Sequence, residues 1–204
     1  EFRRVLFRSD RTQNNNIATV STARYSSTQA KYNPVSISFN GSSDYLTGYS
    51  VSNLTLGGDF TIEMWIYPTT LTASTYYGLI DTRPTGSSST GYALWIYNSR
   101  LGLSWNNSDI ISPSSGTTIS TATWTHVAYV RSGSTVTTYI NGVSQNTATN
   151  SASCTASNLR IGYKSHSASV LTYYVGYMDD IRITNGIARY TSNFTPPTFS
   201  PVGF

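Results

Sequence analysis

Beyond its first residue, the 204-residue chain holds a single glutamate, Glu63, in the run Asp59-Phe60-Thr61-Ile62-Glu63-Met64-Trp65-Ile66-Tyr67. Retaining hydrolysis of a glycosidic bond needs two carboxyl groups about 5–5.5 Å apart. Strand alternation puts Thr61, Trp65 and Tyr67 on the face of Glu63, and none can be the second carboxylate. Asp179 and Asp180 are consecutive, so they point to opposite faces of a strand and form no same-face dyad. A nucleophilic triad needs a base held beside a Ser or Cys. The two histidines offer little: His126 reads as a packed strand residue beside Trp124 and Ala128, and His166 as exposed in a serine-rich turn. The one cysteine, Cys154, reads as a small loop residue; alone it makes neither an intramolecular disulfide nor a cysteine zinc site.

Two other chemistries have candidates. Calcium takes six to eight oxygens from carboxylates, amides and carbonyls. The Asn40-Gly41-Ser42-Ser43-Asp44 turn offers Asn40 and Asp44, and the last strand offers Asp179 and Asp180; Asx-rich turns also cap themselves without metal. Carbohydrate binding uses aromatic rings as platforms for the apolar faces of sugars, with polar groups reading the hydroxyls. Its candidates are Tyr76, Tyr77, Tyr92, Trp95, Trp105, Tyr173 and Tyr174. In the adjacent pairs Tyr76-Tyr77 and Tyr173-Tyr174, alternation turns one ring inward and one outward. Trp65 and Trp124 read as core.

These side chains must be positioned by strands. Only two Glu and two Lys occur, against sixteen Tyr and four Trp, a composition for sheets with uncharged polar outer faces. Alternating runs at 35–39, 59–67, 76–82, 91–97 and 100–105 predict strands, the last two joined by a tight turn at Asn98-Ser99. A hairpin at 124–146 includes Asn141-Gly142, a dipeptide suited to a type I′ turn. Strands at 158–164 and 173–184 complete the series, and 112–123 and 147–157 read as loops. The fold class is all-β, a two-sheet antiparallel jelly-roll sandwich in a single domain over 34–204.

Residues 1–9 read as a leader derived from cloning or adaptor sequence, and 10–33 as a polar N-terminal arm suited to contacting a neighbour. Of the formal +4, the first eleven residues carry +2 (four Arg against Glu1 and Asp10), and the rest carries +2 with no basic cluster. Nucleic-acid binding is therefore not expected. No apolar run is long enough to span a membrane.

Four segments in order resemble the laminin-G-like, concanavalin A-like jelly-roll superfamily: 38–46 (SFNGSSDYL), 59–68 (DFTIEMWIYP), 124–133 with 139–143 (WTHVAYVRSG, YINGV) and 176–183 (GYMDDIRI). The resemblance covers about residues 35–195. It implies a structural role for His126, and adjacent first and last strands whose turns hold a structural calcium in many relatives, although Asn40 stands where Asp is common. Enzymes of the superfamily carry Glu-x-Asp-x-x-Glu on one strand, and the Glu63 strand lacks it. The ending 186–197 (GIARYTSNFTPP) is similar to modules of bacteriophage tail fibres and other virion structural proteins. The resemblance thus implies a non-enzymatic, carbohydrate-binding adhesion module of a virion or extracellular surface assembly, with a glycan or other subunits as partners. Its alternative is a purely structural subunit of a phage tail, capsid or extracellular filament. A degenerate glycan hydrolase or lyase comes third.

Overall fold

The computed structural model describes residues 3–4, 17–32, 34–48, 51–84, 90–165 and 171–198. His166 lies outside these residues, as does most of 1–16. Period-two alternation builds two large antiparallel sheets. The first runs in the order β13 (Val143–Thr149), β12 (Thr135–Ile140), β11 (Thr125–Ser132), β6 (Phe60–Pro68), β17 (Val175–Asn185), β4 (Ser36–Asn40), β3 (Arg24–Ser26), with β1 (Arg3–Arg4) beside β17. The second runs β10 (Ser108–Ile111), β9 (Arg100–Trp105), β8 (Tyr92–Tyr97), β7 (Tyr76–Asp81), β14 (Leu159–Ile161), β5 (Tyr45–Gly48), β2 (Ile17–Val20). A small hairpin, β15 (Tyr163–Ser165) with β16 (Leu171–Tyr173), stands apart. Among the described residues the single helical element is a 3-10 turn at Ser52–Leu54, and no helix is long and apolar enough to cross a membrane.

The predicted strands are present within a few residues of their expected bounds. The segment 10–33, expected as an arm, instead supplies β2 and β3, one edge strand for each sheet. Its few apolar residues had hidden this, because an edge strand is held by backbone hydrogen bonds more than by burial. The loop expected at 147–157 begins only after β13, and β5 and β10 lie in segments too short and polar to show alternation.

The core lies between the sheets. Phe60, Ile62, Met64 and Ile66 of β6 are fully buried against Tyr92, Leu94 and Ile96 of β8 and their neighbours. Each such side chain contributes about 1.5–3 kcal/mol by leaving water. Arg131 shares this interior: its guanidinium lies 5.6 Å from both the Phe60 and Trp105 rings and donates to the carbonyls of Gly58 and Ala152. Asn98-Ser99 and Asn141-Gly142 both adopt positive φ, as their turns require.

The outer face of the first sheet is covered as well. The segment 186–198 crosses it, stacking Tyr190 on Phe194 (3.5 Å between centroids) above Ala128, Val130 and Tyr139. Hydrogen bonds pin this strap: Phe194 N–H donates to Gly142 O, Arg189 N–H to Thr61 Oγ1, and Thr61 Oγ1–H to Ile187 O. Beside it, Lys31 and Tyr32 lie over Trp65, with Nζ 3.8 Å from the Trp65 ring.

Candidate functional site

The seven candidate aromatics divide sharply by exposure. Tyr92 and Trp105 are core residues, stacked 5.8 Å apart, with Trp105 also stacked on Phe60 at 5.3 Å. Tyr174 is fully buried, edge-on to Phe39, and donates its hydroxyl proton to the Tyr177 carbonyl. Tyr77 is buried with its hydroxyl accepting from Thr72 N–H. Trp95 points outward from the second sheet, yet it is only 1% exposed: Lys164 Nζ sits 4.5 Å above its ring and Gly102 supports it below. Tyr92, Trp95, Trp105 and Tyr174 have no free face for a sugar, which corrects the expectation for them; Tyr77, 7% exposed, borders the cleft that Tyr76 and Tyr173 share. Trp95 lies on the outward face, and a neighbouring hairpin covers it. Tyr76 and Tyr173 remain half-exposed, as the alternation in their pairs predicts.

These two rings share a cleft of about 380 Å³ with Thr70, Thr75, Thr172 and the Gly41 turn. Tyr76 packs on Tyr97 at 4.4 Å, above Lys164, and Tyr173 packs on Tyr163 at 5.5 Å. Each ring is therefore backed by a neighbouring ring. Burial, helped by neighbouring Tyr97 and Asp109, raises the Tyr76 hydroxyl above its ordinary value; burial and Tyr45 do the same for Tyr173. Both phenols stay neutral at physiological pH, able to donate and accept hydrogen bonds. Gly41 takes φ +78, and a Cβ there would stand 2.7 Å from Val175 Cβ, so the cleft wall depends on this glycine. No sequence signal marked Thr70, Thr75 and Thr172, because threonines are common throughout the loops.

The calcium candidates do not converge. The register pairs Asn40 with Val175 and Ile37 with Met178, so Asp179 and Asp180 lie at the other end of β4. At about 3.3 Å per residue, the four positions from Val175 to Asp179 separate the two halves by roughly 13 Å. Protein groups engage each half. Asp44 accepts from Thr22 N–H, Thr22 Oγ1–H and Asn40 N–H, and Asn40 Oδ1 accepts from the N–H groups of Ser42, Ser43 and Asp44. Asp179 accepts from Lys31 N–H and Tyr32 N–H, while Asp180 pairs with Arg182 at 3.2 Å. Among the described residues no three His, Cys, Asp or Glu side chains are grouped to hold a metal. The donor set therefore does not fit calcium. Strict alternation also fails at the aspartates, because β17 bulges between Asp179 and Arg182 and Asp180 takes φ +46.

Glu63 is sealed under the strap. Tyr190 donates to its Oε2 at 2.7 Å and His126 Nε2 lies 3.3 Å from the same atom; Arg182 and Arg189 stand 3.6 and 3.7 Å from Oε1. Burial alone would raise this carboxyl, but the His126 hydrogen bond, the Arg182 charge and the Tyr190 hydroxyl hold it below its ordinary value. It is a buried anion in a cationic cage, beyond the reach of a substrate. His126 is a packed strand residue, as expected. Cys154 is buried too, with its thiol pushed up to about 11, chiefly by burial, and so inert as a nucleophile.

No curated protein sequence matches the chain. Among solved structures, domain 4 of AbnA, a GH43 extracellular arabinanase from Geobacillus stearothermophilus in complex with arabinotriose, is similar in fold. It is 18% identical with a TM-score of 0.62, over 85% of this chain and 83% of that one. The receptor binding domain of botulinum neurotoxin C/D mosaic serotype is 15% identical with a TM-score of 0.61, over 84% of this chain and 43% of that one. That of botulinum neurotoxin D is 14% identical with a TM-score of 0.62, over 88% of this chain and 46% of that one. The chain spans less than half the length of these toxin domains, and at such identities the likeness is one of fold. A family model described as the concanavalin A-like lectin/glucanases superfamily matches residues 40–189, from the end of β4 through the start of the strap. With the two sheets, their core and the four motif segments all inside or overlapping that match, the chain belongs to the concanavalin A-like lectin/glucanases superfamily.

Proposed function

We propose that the protein is a non-enzymatic carbohydrate-binding module and that the cleft between Tyr76 and Tyr173 is its sugar site. The observation that carries this reading is the pair of half-exposed, firmly backed phenol rings facing a cleft rimmed by threonine hydroxyls. Such a surface offers an apolar face to a sugar ring and neutral donors and acceptors to its hydroxyls. Among the described residues no carboxylate lines this cleft, and Glu63 is enclosed elsewhere, which supports binding over hydrolysis. The arabinanase domain in complex with arabinotriose and the receptor binding domains of the toxins support the same class of role. The resemblance of the 186–197 ending to virion modules supports adhesion within a virion or extracellular surface assembly.

The test is a glycan array followed by titration of the best hits. Tyr76→Ala and Tyr173→Ala should each weaken binding about tenfold or more, equivalent to about 1.4 kcal/mol, while leaving the melting temperature nearly unchanged. Hits whose affinity is untouched by both substitutions would refute this site.

A further inference from the structure

The outer face of the first sheet carries four transverse rows of side chains, and one of them is open. The covered rows hold Thr61 with Val130 and Thr184, Glu63 with Ala128 and Arg182, and Trp65 with His126 and Asp179. The strap 186–198 and the Lys31-Tyr32 pair lie over these. The last row lies beyond their reach. In it Arg24 faces Ser38, Ser38 faces Tyr177, and Tyr177 faces Tyr67 across successive strands. Trp124, just before β11, packs on Tyr67 with centroids 5.5 Å apart.

All three rings in this row are half-exposed, which corrects the core reading of Trp124. They are tilted, Tyr177 to Tyr67 by 74° and Tyr67 to Trp124 by 57°, so they form a stepped surface. Four strand intervals of about 4.8 Å give the row a length of roughly 19 Å, which suits an oligosaccharide better than one sugar. Arg24 ends the row, exposed, and pairs with no carboxylate among the described residues. Between Arg24 and Tyr177 lies a cleft of about 230 Å³ floored by Ser38 and rimmed by Thr22 and Thr69. Its one carboxylate, Asp44, is 2% exposed with its oxygens turned to Thr22 and Asn40 donors. Asn40 lines both this cleft and the Tyr76 cleft, so the two adjoin there.

We infer that this row extends the sugar site and that the glycan is an anionic oligosaccharide. Its charged group meets the Arg24 guanidinium, and its sugar faces step across Tyr177, Tyr67 and Trp124. An exposed guanidinium at the end of an aromatic row matches a carboxylate or sulfate in a way a neutral sugar cannot exploit. The inference rests on the reading of the protein as a glycan-binding module.

The test is calorimetric titration of the full chain with three probes of equal length. These are an oligogalacturonate, its carboxyl-reduced neutral counterpart and a heparin-derived sulfated oligosaccharide. The wild-type protein should bind one or both anionic probes at least tenfold more tightly than the neutral one. Arg24→Gln, at an exposed position, should abolish that preference, and Trp124→Ala and Tyr177→Ala should weaken the anionic probe about tenfold. Whether the carboxylated or the sulfated probe wins identifies the anion. Equal affinity for neutral and anionic probes, or a preference that survives Arg24→Gln, would overturn the inference. In that event, neutral binding that Tyr76→Ala removes leaves the glycan-binding reading standing. Failure of every probe and of the glycan array defeats both.

Discussion

The Tyr190 hydroxyl donates a hydrogen bond of 2.7 Å to Glu63 Oε2, joining the strap to the middle of β6 across 127 residues of sequence. Around that bond His126, Arg182 and Arg189 surround the carboxylate with positive or proton-donating groups at 3.3–3.7 Å. Removing one partner of a buried charge cluster strands the others, at a cost of about 3–5 kcal/mol. Glu63→Gln should therefore destabilise the fold by that order while glycan binding by the remaining folded protein persists. Loss of binding without loss of stability would instead indicate a direct role in recognition.

Acid should act through the same carboxyl. Its folded value lies below the ordinary 4.5, so the unfolded chain binds the proton more readily in that region. The stability it contributes is present above about pH 4.5 and is lost as the pH falls through the folded value. Wild-type melting temperature should decline steeply below pH 4.5, and Glu63→Gln should flatten that decline. Identical acid profiles would refute this assignment.

Gly142 governs the seat of the strap. It takes φ +77, and a Cβ would overlap the Phe194 carbonyl oxygen. Gly142→Ala should cost about 2 kcal/mol or more through strain and lost contact. It should also loosen the strap locally, so limited proteolysis should cut within 186–198 in the variant and spare the wild type. Equal resistance in both would show the strap held mainly by its other contacts.

Lys164 should have the opposite pH signature to Glu63. Burial, helped by the Arg83 charge, pushes its ammonium down to about 8, despite the Trp95 and Tyr76 rings beneath it. Between about pH 8 and the ordinary 10.5, the unfolded chain holds more protons than the folded one, so stability rises with pH. Above pH 10 the buried tyrosines act in reverse, since burial raises the hydroxyls of Tyr92 and Tyr129. Cys154, pushed up from 9.0 to about 11 by burial, opposes Lys164 from about pH 9. Melting temperature should therefore climb between about pH 8 and 9, and Lys164→Met should remove the climb while raising the pH 7 value by on the order of 5 °C. A flat wild-type profile would contradict this.

Asp44 is filled by protein donors, so chelator or added calcium should leave the wild-type melting temperature unchanged. Asp44→Ala should lower it, because the N–H groups of Thr22 and Asn40 lose their buried acceptor at about 1–3 kcal/mol. A calcium-induced rise of several degrees in the wild type would show that the turn rearranges to bind metal.

Much of this arrangement was legible in the chain. The alternation of Phe60, Ile62, Met64 and Ile66 against Thr61, Glu63, Trp65 and Tyr67 determined the two faces of β6, because a pleated strand leaves no other choice. Asn98-Ser99 and Asn141-Gly142 determined two turns, because few residue pairs accept positive φ there. The aromatic pairs Tyr76-Tyr77 and Tyr173-Tyr174 were correctly split between surface and interior. Alternation cannot reveal what lies over an outward face. Trp95 and Glu63 both point away from the core between the sheets, yet a hairpin covers one and the strap covers the other. Tyr67, Tyr177 and Trp124 point outward in the same way and stay open. Only packing between segments far apart in sequence separates these cases, because exposure depends on which distant chain arrives to exclude water.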